Sequence, residues 1–115
     1  GEGRARVGGR ELRVRWRAGV AGEDHASDGE AFALDAVALP LTVRGRRPGD
    51  RVRTPAGRRP LKKVLAEARL SLVARARLPV VAGADGAVVW VPGVARGAPP
   101  PPPGQRGITL VIADA

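Results

Sequence analysis

The stretch LPLTVRGRRPGDRVRTPAGRRPLKKVLAEARL, residues 39–70, holds two hydrophobic periods in succession. From Leu41 the chain alternates. Leu41 and Val43 point one way and Thr42, Arg44 and Arg46 the other, the two-residue period of a half-buried strand running to about Arg46. Pro48-Gly49 interrupts it, because proline presets φ and glycine tolerates positive φ. Val52, between Arg51 and Arg53, reads as a brief return strand, and TPAGRRP as a second turn or loop. From Pro60 the period changes. Leu61, Val64, Leu65 and Ala68 fall at i, i+3, i+4 and i+7, the stripe of an amphipathic helix. Pro60 suits the first helical position, where its missing N–H costs nothing. Lys62, Lys63 and Glu67 fall off the stripe.

The flanks supply more strands. RARVGGRELRVRWRAG, residues 4–19, reads as a hairpin about Gly8-Gly9. A two-residue turn puts Arg6 opposite Glu11 and Arg4 opposite Arg13, the second pair unfavourable unless solvated or sharing an anion. Leu12, Val14 and Trp16 alternate with Arg13, Arg15 and Arg17. Residues 20–30 lack a period and read as an acidic loop, with His25 solvated rather than binding metal. AFALD is a short strand with Phe32 and Leu34 on one face. Ser71 is placed to cap a second helix from Leu72 to about Arg77, which Pro79 ends. LPVVA and AVVWVPG are strands joined around Asp85-Gly86. Pro99 to Pro103 favour an extended polyproline loop, and ITLVIADA closes the chain as a strand. The sum is an α+β domain: about seven short, mostly antiparallel strands with two short helices in the middle. Residues 1–115 form one domain, with hairpin and acidic loop at 1–35, a basic core at 39–93 and a proline-rich loop at 97–107. The start, GEGRARV, without methionine, reads as the middle of something, and the chain as a fragment cut from a longer protein.

Twenty Lys and Arg against eleven Asp and Glu give a net charge of +9. A bias toward arginine (eighteen Arg to two Lys) sets the total, but it does not set the placement. Residues 18–35 hold five acids and no base, whereas residues 44–63 hold nine bases against Asp50. The absence of cysteine removes disulfides and thiolate metal sites and fits a reducing, cytoplasmic setting. There is no phosphate-binding glycine loop. Ser27 and Ser71 lack a base nearby in sequence, and Glu23-Asp24 lack an apolar wall to shift their pKa values. Arginine does not titrate near neutrality. The chain is therefore expected not to catalyse alone.

Arg58, Arg59, Lys62 and Lys63 surround the start of the best helix, where the dipole disfavours each cation by about 0.3–1 kcal/mol. An anion there would remove the conflict. Cations spread over two strands, a turn and a helix start suit a polyanion backbone. The three rings, Trp16, Phe32 and Trp90, occupy positions expected in the core, so base stacking is not expected. The expectation is a nucleic-acid duplex gripped through its phosphates by Arg44, Arg46, Arg51, Arg53, Arg58, Arg59, Lys62 and Lys63. The alternative is a protein-interaction or dimerisation domain whose basic face docks an acidic surface, such as residues 23–30 of a second copy.

The same residues resemble a known family. Arg44, Arg46, Arg47, Gly49, Asp50 and Arg51 fit an R-x-R-x-x-G-D-R motif. Lys62-Lys63 fit a K-K helix, Arg75 and Arg77 an R-x-R-x-P segment, and Trp90, Pro92 and Gly93 a W-V-P-G hairpin. In order and spacing this set resembles the C-terminal substrate-binding domain of bacterial tRNA(Ile)-lysidine synthase. The resemblance implies a module that grips tRNA, notably its acceptor stem, and it adds Arg47, Arg75 and Arg77 to the RNA-binding residues. It implies a parent ligase that attaches lysine to the wobble cytidine through an N-terminal domain using ATP and magnesium. It implies no cofactor in this fragment. Asp50 is expected to be structural, accepting from turn N–H groups or orienting a neighbouring arginine.

Overall fold

Gly8 and Gly9, at φ +56 and +78, make the first turn. Positive φ at both central residues is what a two-residue primed hairpin requires. The computed structural model describes residues 1–22 and 29–115. The acidic loop and His25 fall largely in residues 23–28, outside the described residues. The turn joins β1 (Glu2–Val7) to β2 (Arg10–Val20). The register is the expected one, with Arg6 opposite Glu11 and Arg4 opposite Arg13. The ion pairs run diagonally across it, Arg4 to Glu11 at 3.3 Å and Arg13 to Glu2 at 3.2 Å. These diagonals relieve the facing arginines. With β10 (Arg106–Asp114) and β3 (Glu30–Ala33) the hairpin forms a first sheet in the order β1-β2-β10-β3.

The second sheet comprises β4 (Thr42–Arg44), β5 (Arg51–Thr54), β6 (Gly57–Pro60), β7 (Val80–Ala82), β8 (Val88–Val91) and β9 (Ala95–Arg96). Its order is β4-β7-β8-β5-β6, with β9 on β8. Pairing is antiparallel except between β5 and β8. Between β6 and β7 lie α1 (Leu61–Glu67) and α2 (Leu72–Arg77). The α+β class and the central helix pair are as expected.

The described residues hold ten strands rather than about seven. TPAGRRP is not a free loop: Gly57, at φ +114, turns the chain back, and Arg58 and Arg59 pair with Arg53 and Val52. No apolar alternation marks that strand. Pro60 ends β6 rather than opening α1, because its ψ of 128° is extended and it pairs with Arg51. The helix begins one residue later, at Leu61, whose N–H donates to the Asp50 carbonyl at 2.8 Å. The strand from Leu41 stops at Arg44, short of Arg46. Leu34 opens a single 3-10 turn instead of extending β3.

Two apolar clusters set the layers. Phe32, Val37, Val81, Val89, Trp90 and Leu110 fill the space between the sheets, Phe32 and Trp90 meeting at 5.5 Å between ring centroids. Val52, Leu61, Leu65, Val80, Val88 and Val91 fill the space between the second sheet and α1. The order is therefore first sheet, second sheet, α1. Leu61 and Leu65 carry the burial expected of the α1 stripe, each contributing about 1.5–3 kcal/mol. α2 buries no residue and exposes Leu72 and Val73. The Ser71 hydroxyl, accepting from Ala74 N–H at 3.1 Å, caps it as expected. The first hairpin holds α2 from outside through Arg10 Nη1 to the Arg77 carbonyl at 3.1 Å.

Trp16 departs from the core position expected of it. It is 42% exposed. Its ring lies over Gly1 and Gly3, which offer no side chain to cover it. It stands at the mouth of a groove of about 730 Å³, with Leu39, Pro40 and Leu41 opposite. The proline run is tied down: the Pro99 carbonyl accepts from Ala33 N–H at 2.8 Å and the Pro102 carbonyl from Gln105 N–H at 3.0 Å. Among the described residues, no helix is long and apolar enough to cross a membrane.

Candidate nucleic-acid interface

The Arg-Pro-Gly-Asp segment between β4 and β5 is a type II turn. Asp50 N–H donates to the Arg47 carbonyl at 3.1 Å, Pro48 takes the second position, and Gly49 sits at φ +84. The Asp50 side chain closes the turn by accepting from Arg47 N–H at 2.6 Å. It also takes a bidentate pair from Arg44, at 2.8 and 3.0 Å. Both side chains are nearly out of solvent, Arg44 at 13% exposure and Asp50 at 7%. Burial pushes the Asp50 carboxyl up. The hydrogen bonds from Arg44 and Arg47 and the charges of both outweigh it, holding the group below the usual carboxylate range.

This turn and the start of α1 enclose an open cleft of about 610 Å³. Leu61, Leu65 and Pro60 give it apolar walls, and Arg46, Arg47, Arg51 and Lys62 stand around it. All four cations are exposed, and none has a side-chain hydrogen bond or ion pair among the described residues. Asp50 is the one carboxylate among the described residues lining the cleft, and Arg44 already neutralises it. The cleft is left with a positive rim and no competing anion.

The eleven cations singled out from the sequence thus divide. Arg46, Arg47, Arg51 and Lys62 come together. Arg44 is committed to Asp50, Arg53 to the Ala36 carbonyl, and Arg75 to the Leu70 carbonyl at 3.0 Å. Arg59 reaches along α1 to Glu67 at 2.6 Å, and Arg58 reaches Asp85 at 3.5 Å. The Arg59 hydrogen bond and charge lower the Glu67 carboxyl, with Lys63 adding a smaller effect. Lys63 and Arg77 are exposed on the helices, away from the cleft lining. The helix start is also less of an anion trap than its charges imply. α1 has seven residues, and the Asp50 carbonyl already holds its first N–H. Trp90 is buried, and Gly93, at φ +75, turns the chain between β8 and β9, so that motif is architectural.

A family model described as the TilS substrate C-terminal domain matches residues 41–101, which hold the turn, the cleft and both helices. The chain belongs to that family. Among curated relatives of this TilS C-terminal domain, tRNA(Ile)-lysidine synthase of Geobacillus kaustophilus is 43% identical over 71 residues, covering 58% of this chain and 15% of the relative. The bifunctional protein TilS/HprT of Listeria monocytogenes is 32% identical over 89 residues, covering 76% of this chain and 14% of the relative. The chain therefore spans about one-seventh of the length of these relatives. A crystal structure of a TilS C-terminal domain superposes with a TM-score of 0.68 at 28% identity, covering 97% of this chain and 90% of that one. The likeness reaches the first sheet and the final strand, which lie outside the family-model match.

Proposed function

We propose that this TilS C-terminal domain grips tRNA through phosphates docked on the cleft between the Arg47–Asp50 turn and α1. The remainder of the parent enzyme then performs ATP-dependent, magnesium-assisted ligation of lysine to the wobble cytidine of a minor isoleucine tRNA. The names of the relatives support the parent activity. One observation supports the grip: four unpaired cations surround a cleft whose carboxylate is already spent on Arg44. Arginine and lysine at such spacing suit phosphate oxygens, and the contact serves to position rather than to read sequence. Four phosphate contacts give a log–log salt slope of about −3 to −4, so affinity falls roughly 10²-fold between 50 and 200 mM salt.

The test is titration of the chain with a transcript of the minor isoleucine tRNA. Arg46→Glu with Arg51→Glu weakens binding at low salt and lowers the slope by about two, with circular dichroism unchanged. A folded double variant with the original affinity and slope refutes the assignment.

A further inference from the structure

The first sheet has a face that the cleft does not use. Along β2, Arg13, Arg15 and Arg17 point away from the core, while Leu12 and Val14 point into it. The registers bring Glu2, Arg4 and Arg6 of β1 beside Arg15, Arg13 and Glu11, and Thr109, Val111 and Ala113 of β10 beside Arg17, Arg15 and Arg13. All five arginines are exposed. Glu2 and Glu11 are spent on Arg13 and Arg4, which fixes those two guanidinium groups in place. Arg6 and Arg15 have no side-chain partner among the described residues. Successive arginines on one strand face stand about 6.8 Å apart, twice the antiparallel rise. That spacing is comparable to the distance between neighbouring phosphates along a nucleic-acid strand. At the far end of the sheet Pro101 packs onto Gly107, beside Arg17 and Thr109, and forms a wall to the face.

The inner face of the first sheet packs on the second sheet, and α1 packs on the second sheet's other side. The face and the cleft therefore use different residues of different sheets. At the hairpin tip the two come round toward each other, Gly8 lying against the Ala76 carbonyl of α2 and Val7 against Gly45, next to Arg46.

We propose that the outer face of the first sheet is a second RNA-backbone docking surface, built from residues other than those of the cleft. It rests on the nucleic-acid reading of this family for the class of ligand, but on different residues. An acidic protein is the poorer occupant. Protein interfaces centre on a dry apolar or aromatic anchor, and this face offers only half-buried Val111 and Thr109 and exposed Ala113 between its charges.

The experiment is calorimetric titration of the 115-residue chain with a 12-base-pair RNA duplex, in excess, at about 50 mM salt, where backbone contacts are strong. Two duplexes per chain are expected. Arg6→Gln with Arg15→Gln removes one of them, and Arg46→Glu with Arg51→Glu removes the other. In the unsubstituted chain, RNA should also protect Arg6 and Arg15 from phenylglyoxal, a readout that does not depend on how the variant folds. A single duplex sensitive only to the cleft variant, with Arg6 and Arg15 still reactive, overturns the proposal. So does a face that takes poly-glutamate but not RNA. Binding lost in the outer-face variant yet untouched in the cleft variant sinks the cleft assignment and leaves this one standing.

Discussion

Replacing Asp50 with Asn tests whether the Gly-Asp-Arg turn is architecture or contact surface. The substitution keeps the shape and one acceptor for Arg47 N–H, but it leaves Arg44, 13% exposed, without a counter-charge. Breaking a buried pair from one side costs about 3–5 kcal/mol; the slight exposure and the retained acceptor place this case near 3. At about 2.1 cal/mol/K per residue, the unfolding entropy of a 115-residue domain is about 0.24 kcal/mol/K, so Tm should fall by about 12 °C. Differential scanning calorimetry measures it. In an Arg44→Met background the same Asp50→Asn change should cost under about 1 kcal/mol, since there is no longer a buried cation to strand. The pH dependence has a definite sign. The folded carboxyl titrates below the unfolded value of about 3.9, so its stabilisation is complete above that pH and is lost as pH falls through the folded pKa. The gap between the original chain and the variant should therefore close below about pH 4. Equal costs in both backgrounds, or RNA affinity lost with Tm unmoved, would refute the structural role.

Trp90→Ala should destabilise by about 3–5 kcal/mol in urea titration, as a buried ring packed on Phe32, whereas Trp16→Ala should cost less than half of that. Acrylamide should quench Trp16 fluorescence and spare Trp90. Gly8→Ala places a Cβ against the Ala76 carbonyl at positive φ. It should cost about 1–3 kcal/mol in the same titration and raise hydrogen exchange along α2, whose outer support is that hairpin tip.

The strand and helix periods were legible wherever one face is buried. The hairpin register followed from Gly8-Gly9, α1 from the spacing of Leu61 and Leu65, and the α2 cap from Ser71. What stayed hidden depends on neighbours remote in the chain. β6 has no apolar alternation because it is an edge strand made of Gly57, Arg58, Arg59 and Pro60, held by backbone pairing with β5. Trp16 looked like core by parity, yet on its β1 side it meets Gly1 and Gly3, which leave the ring uncovered. The family motifs lie within the segment that the family model matches, and the clustering of charge falls in the same run. They could not say which cations are free, because that depends on where the acids land. Asp50 and Glu67 were visible in the basic run, but their pairing with Arg44 and Arg59 follows from turn geometry and from the path of β6 into α1. The basic face of β2 was equally plain as a pattern. That it turns away from the core follows from the pairing of β2 with β1 and β10, which one strand cannot reveal.

The bond from Ala33 N–H to the Pro99 carbonyl bears on how one border of the first sheet is closed to a further strand. β3 is a border strand of the first sheet, and borders invite another chain to add on. A proline carbonyl satisfies the open donor while offering no N–H to a newcomer. The run of prolines thus works as a selvedge, finishing the fabric where it would otherwise fray into a neighbour's.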